Sequence, residues 1–215
     1  RPWWASTSTR SLRKIACKTV ASRVRIGALA LQGDFREHLA MLRRLGVDAV
    51  EVRTAEELAQ VDGLIIPGGE STAIGRLARI YDLIDPLRGA ISSGLPVLGT
   101  CAGMIFLAAA TTGPEQPQLG ALDVVVERNA FGRQVDSFEA ELAVTGFIEP
   151  MHAVFIRAPW ISKIGSGVET LASVVVPGGT EPHPVFVRQE NVLATAFHPE
   201  LTEDTRIHEL LLEVC

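Results

Sequence analysis

The sequence predicts one α/β domain with a mostly parallel central sheet flanked by helices. Three observations carry that expectation. From Arg25 onward, short apolar runs alternate with stretches of helical period, the order that builds a parallel sheet through right-handed crossovers. In the second half, strand-like segments follow one another across short turns, which adds antiparallel strands. The composition, 47% hydrophobic and 21% charged, suits a chain that buries a sizeable core.

Each element has its own warrant. Arg25–Leu31 is an apolar run of the kind buried on both faces of a sheet. Asp34 and Glu37 have the spacing of a capping box, and Leu39, Leu42 and Leu45 form a helical stripe that stops before Gly46. Ala49–Val52 reads as a second strand, and Thr54 with Glu57 caps a short helix. Gly63–Ile66 is a third strand, stopped by Pro67-Gly68-Gly69. Ser71–Tyr81 and Pro86–Ser92 read as helices, the second with proline in its first turn. Pro96–Gly99 is a fourth strand that runs into Cys101 and a helix over Gly103–Ala110. Gly113–Gln118 is a polar surface loop. The segments Leu122–Val126, Phe138–Val144, Val154–Ile156, Leu171–Val176, Pro184–Arg188 and Val192–Phe197 are strand-like, with Pro177–Thr180 as a hairpin connection. An amphipathic helix over Glu203–Val214 follows.

Charge divides the chain. Lys plus Arg is 20 and Asp plus Glu is 25, a net charge of −5. Residues 1–25 carry seven of the bases and no acid, leaving 13 bases against 25 acids over the rest. Residues 1–24 are therefore expected to be a basic arm, disordered or artefactual, and residues 25–215 the folded domain. The arm lacks the apolar segment of a secretory signal; its Arg- and Ser-rich composition fits an organelle transit peptide or leader sequence read as protein. The acidic body argues against a nucleic-acid partner. Leu95–Ala110, the most apolar run, is shorter than the ~20 residues of a membrane span, so no membrane partner is expected. Cys17, Cys101 and Cys215 are odd in number and far apart, which suits a reducing, cytoplasmic setting better than a disulfide framework.

The chemistry concentrates at three strand ends. Gly99-Thr100-Cys101-Ala102-Gly103 has the form of a nucleophile elbow with Cys in the Ser position. Small neighbours permit the sharp turn, and the following helix N-terminus can lower a thiol pKa and hold an oxyanion. The plain alternative is a buried cysteine in a Gly-rich packing turn. His198-Pro199-Glu200 follows the apolar strand Val192–Phe197 and supplies a base with a carboxylate to orient it. In open α/β sheets the C-terminal strand ends line the ligand crevice, so Cys101 and His198 are expected on one edge despite their separation. Pro67-Gly68-Gly69-Glu70-Ser71 again lies between a strand and a helix, where glycine amides can turn inward onto an oxyanion. An ordinary glycine turn with Ser71 as helix N-cap is the alternative; no phosphate-loop lysine pattern is present. His38 is assigned a structural or interface role. His152, His183 and His208 lack metal-ligand spacing, so neither metal nor cofactor is expected.

Together the Gly99–Gly103, His198–Glu200 and Pro67–Ser71 motifs resemble those of the class I glutamine amidotransferases. Leu29–Gly33, Glu127–Glu139 and Phe155–Pro159 narrow the resemblance to the glutaminase subunits of pyridoxal 5′-phosphate synthase, the PdxT/SNO family, over about Arg25 to Val214. The resemblance implies a flavodoxin-like three-layer fold and hydrolysis of L-glutamine to L-glutamate and ammonia through a thioester on Cys101. His198 would be the base and then the acid for the leaving ammonia, oriented by Glu200. Gly69 and Ala102 would supply the oxyanion hole, with Gln32 organising it. Gly69, Glu70, Ser71, Arg128, Ile156 and Arg157 match glutamine-binding positions, and an arginine is the natural bidentate partner of a substrate carboxylate. The implied partner is the lyase subunit of the synthase, in a hetero-oligomer. Two rivals are a glutaminase serving another synthase and a non-catalytic, stress-related or chaperone-like relative with an elbow cysteine.

Overall fold

The computed structural model describes residues 24–128, 137–175 and 177–215. The basic arm, with Cys17, lies outside these residues except for its last residue, as do positions 129–136 of the Glu127–Glu139 motif.

A seven-stranded sheet forms the centre. Its parallel part comprises β1 (Arg25–Leu29), β2 (Asp48–Val52), β3 (Gly63–Ile66), β4 (Val97–Thr100) and β12 (Val192–Thr195), ordered β12-β4-β3-β1-β2. The antiparallel strands β11 (Pro182–Gln189) and β10 (Glu169–Val175) extend it beyond β12. Strands β3, β4 and β12 are buried along their whole length, as the apolar runs require of strands covered on both faces. The helices are α1 (Phe35–Arg44), α2 (Ala55–Leu58), α3 (Ser71–Ile80), α4 (Ile84–Ser92), α5 (Ala102–Leu107) and α6 (Arg206–Val214). Two smaller sheets stand apart: β5 (Ala108–Thr112), β6 (Leu122–Glu127) and β9 (Trp160–Ile164) form one, and β7 (Ser137–Leu142) with β8 (Met151–Ile156) the other. No helix of the described residues is long and apolar enough to cross a membrane.

The α/β architecture and nearly every element match expectation, and the departures have physical causes. The helix after the elbow ends at Leu107, and Ala108–Thr112 becomes a strand paired with β6. The amides of Leu119 and Ala121 take the carbonyls of Phe106 and Leu107, so tertiary hydrogen bonds override the helical preference of an Ala-rich segment. Strand β9, not anticipated, is recruited by pairing with β6. The Thr54/Glu57 capping box forms; the Asp34/Glu37 one does not, because Asp34 makes no side-chain cap bond and turns towards His198. Glu70, rather than Ser71, caps α3, accepting from the amides of Thr72 and Ala73 at 3.0 and 2.6 Å. Helix α6 starts at Arg206, three residues later than the polar periodicity suggests. Gln116, in the expected surface loop, is buried.

Candidate active site

Strands β1, β3, β4 and β12 lie side by side and parallel, so their C-terminal ends share one edge. The loops leaving that edge carry Gln32 and Asp34, the Gly68–Ser71 turn, Cys101, and His198 with Glu200. A cleft of about 460 Å³ opens there. Ten of the eleven expected site residues line it: Gln32, Gly69, Glu70, Ser71, Cys101, Ala102, Arg128, Ile156, Arg157 and His198. The eleventh, Glu200, lies buried behind His198.

Cys101 occupies the turn between β4 and α5 with φ +48° and ψ −102°, a conformation costly for a residue with a side chain. Its amide is tied to the Thr195 carbonyl at 2.8 Å, which locks the elbow to β12. The turn closes only because the second residue of α5, Gly103, lacks a Cβ. A Cβ on Gly103 would lie 2.0 Å from the Ile66 carbonyl oxygen. Sequence patterning thus sets the strain, and packing of α5 on the end of β3 maintains it.

His198 is held from three sides. Its amide donates to the Val154 carbonyl at 2.9 Å, its Nδ1 lies 2.8 Å from Glu200 Oε1, and its ring shares the cleft with the Cys101 side chain. With Nδ1 engaged by the carboxylate, Nε2 is the ring nitrogen left to serve Cys101. The glycine turn presses on the same ring: a Cβ at Gly68 would sit 2.5 Å from His198 Cε1. Burial opposes charge on the imidazole, but the hydrogen bonds and charges of Cys101 and Glu200 outweigh it and push the pKa up to about 10. Burial pushes the Glu200 carboxyl up, against the lowering effect of His198.

The opposite wall is a polar network. Arg128 donates to Thr72 Oγ1 at 3.3 Å, Gln116 Oε1 at 3.2 Å and Glu70 Oε1 at 3.3 Å. Ser71 Oγ also donates to Gln116 Oε1, at 3.1 Å. Burial works against charge on Glu70, yet the amides of Thr72 and Ala73 and the neighbouring guanidinium hold its carboxyl below the usual range. Gln32 Oε1 accepts from the Glu70 amide at 2.7 Å and so braces the glycine turn. Ile156 and Arg157 arrive from the end of β8, which Phe155 joins to the main sheet by an edge contact with Phe197. Arg157, like Cys101, has a positive φ, +42°.

Sequence reasoning missed several neighbours. Asp34 and Ile105 line the cleft, Asp34 approaching His198 Nδ1 at 3.7 Å. Burial raises the Asp34 carboxyl pKa, opposed by His198 and helped by Glu37. His38 and His208, distant in sequence, meet behind Glu200. No local pattern marks any of these, since each acquires its neighbours through the topology of the sheet. Asp34, His198 and Glu200 are the only metal-ligand group among the described residues, with ligand atoms within 4.8 Å of one another. Two of those atoms already face each other in the His198–Glu200 hydrogen bond.

Residues 28–215 match the SNO glutamine amidotransferase family. The chain is 60% identical over 196 residues to pyridoxal 5′-phosphate synthase subunit PdxT of Parafrankia sp. (strain EAN1pec), covering 90% of this chain and 94% of that one. A crystal structure described as a glutamine amidotransferase superposes with a TM-score of 0.81 at 54% identity, over 88% of this chain and 97% of the other. The structure of PurLQS from Thermotoga maritima, at 15% identity and a TM-score of 0.68, is matched over 89% of this chain and 98% of its own; it shares the fold.

Proposed function

The chain belongs to the SNO glutamine amidotransferase family, and from that membership we infer how its cleft works. It is a glutaminase of pyridoxal 5′-phosphate biosynthesis, releasing ammonia from L-glutamine for use by a synthase subunit. The observation that carries the assignment of roles is the strained Cys101 facing His198, with Glu200 closing the line behind it.

In this reading Cys101 passes its thiol proton to His198 and its sulfur attacks the side-chain amide carbon of glutamine. The tetrahedral oxyanion forms against the start of α5 and the Gly68–Glu70 turn, where the amides of Ala102 and Gly69 are the donors. As the carbon–nitrogen bond breaks, His198 delivers a proton to the nitrogen and ammonia leaves. A γ-glutamyl thioester remains on Cys101. Water, deprotonated by His198, then attacks the thioester and restores the thiol as glutamate departs. Glu200 holds the imidazole in one tautomer and offsets its positive charge through the cycle.

The substrate's charged end lies towards Arg128 and Glu70. A guanidinium with several donors suits the α-carboxylate, and the Glu70 carboxylate suits the α-ammonium. Ile156 and Arg157 close the remaining side, and Gln32 keeps the glycine turn in place. Ammonia protonates and diffuses away in water, which favours its transfer inside a hetero-oligomer with the lyase subunit. We place that complex in the cytoplasm, in keeping with cysteines too few and too widely spaced in sequence for a disulfide framework.

The test is ammonia release from L-glutamine with and without the synthase subunit. Wild-type chain with its partner should turn over, and Cys101→Ser should abolish release while still binding glutamine. Substantial turnover by that variant would refute the assignment of the nucleophile.

A further inference from the structure

Behind the line from Cys101 through His198 to Glu200 lie two more histidines, both fully buried. His38 projects from α1, which packs on the Pro199–Leu201 turn that carries Glu200. Its Nδ1 lies 2.9 Å from His208 Nε2, and its Nε2 lies 3.1 Å from Thr100 Oγ1 and 3.4 Å from Glu200 Oε2. Thr100 directly precedes the nucleophile.

Two buried atoms without hydrogen bonds decide the tautomers. Neither Glu200 Oε2 nor His208 Nδ1 has a hydrogen-bond partner, although His38 Nε2 lies 3.4 Å from the carboxylate oxygen. If His38 carried its proton on Nδ1, its Nε2 lone pair would face the carboxylate oxygen, and His208 Nδ1 would be an N–H buried without an acceptor. Both arrangements are costly. If His38 carries the proton on Nε2, it can donate to Thr100 Oγ1 at 3.1 Å and present partial positive charge to the Glu200 oxygen that lacks a hydrogen bond, 3.4 Å away. His208 then donates from Nε2, and its bare Nδ1 is left with only a lone pair unmet.

We propose that His38, held by His208, is a positioning residue for the reaction: its Nε2–H, bonded to Thr100 Oγ1, lies 3.4 Å from the second oxygen of Glu200 and by charge attraction holds the carboxylate that orients His198. The assignment rests on the glutaminase reading of the cleft. Neither histidine touches the substrate or the reacting atoms. With Oε1 on His198 and Oε2 facing His38, rotation of the carboxylate away from the base would give up both contacts.

Spectra of chain labelled with ¹⁵N-histidine read the tautomers directly and need no activity. His38 should be neutral and protonated on Nε2; protonation on Nδ1 overturns the proposal. Kinetics with the synthase subunit supply the second arm. His38→Leu should lower kcat for ammonia release roughly 10- to 100-fold, the range carried by partners behind metal-bound histidines and carboxylates, with KM for glutamine within about twofold. His38→Gln, whose amide can donate near the Nε2 position, should recover most of that loss. A folded His38→Leu variant with wild-type kcat, or a Gln variant no better than Leu, refutes the positioning role. Should His38→Leu not fold, the tautomer decides. A wild-type chain inactive even with its partner would overturn the glutaminase reading while leaving the tautomer measurement intact.

Discussion

The buried histidine pair makes this fold acid-sensitive in a way that can be calculated. Burial holds the His208 pKa down to about 4, against 6.5 for an unperturbed imidazole. As the pH falls through 6.5, the unfolded chain takes up the proton and the folded chain does not. The stabilisation from a neutral His208 is therefore complete above pH 6.5 and drains away towards pH 4. Between pH 7 and pH 5 the linkage relation gives a loss of about 2 kcal/mol from this one group. His38, also fully buried and shifted well down by burial and by its histidine neighbours, acts in the same direction. The perturbation is His208→Leu, which puts an apolar side chain at this buried position on α6 and removes the titration. Urea unfolding at steps from pH 7 to pH 5 measures it. Carboxylates contribute to both proteins alike, so the difference between the two slopes isolates the histidine. Wild type should lose about 2 kcal/mol more than the variant over this range. Parallel curves would refute the claim that His208 is buried neutral.

Three other outcomes follow from the site. Glu200→Gln removes the charge that supports the His198 imidazolium, and should cut glutamine turnover by about 10³- to 10⁴-fold in steady-state assays with the synthase subunit. Arg128→Lys keeps the charge but loses the fork that reaches Thr72, Gln116 and Glu70. It should raise KM for glutamine about tenfold or more, read from ammonia release at varied substrate. Gly103→Ala places a methyl 2.0 Å from the Ile66 carbonyl. It should cost at least about 1–3 kcal/mol in urea unfolding and displace Cys101, with turnover falling more steeply than stability.

Much of the fold was legible because its strands have single-minded environments. GLII over Gly63–Ile66 and VLGT over Val97–Thr100 are buried from end to end, and no other element tolerates such runs so briefly between turns. The Thr54/Glu57 box formed because its hydrogen bonds join residues of one short exposed segment. Asp34 has the same local pattern, but the fold sets it beside His198 and its cap bond is lost. Ala108–Thr112 failed for a related reason: three alanines favour a helix, but the hydrogen bonds that end α5 come from residues 119 and 121. No sequence window around Ala108 contains them.

The same division runs through the site. Cys101 at a Gly-flanked turn, His198 and Glu200 after a buried strand, and Arg128 in a specific motif are local chemistry, because residue type and turn geometry are short-range properties. The residues proposed to react were therefore recognisable as candidates in the chain itself, as was the mostly parallel sheet that gathers them on one edge. Their environment was not. Whether Glu200 has a donor for its second oxygen, whether His38 and His208 are neutral, and what holds the elbow in a strained conformation depend on atoms brought together from α1, β12 and α6. Desolvation and hydrogen-bond partnership are properties of a packed volume. They come into being only when the sheet has closed its layers around these side chains, and no reading along the chain can supply them.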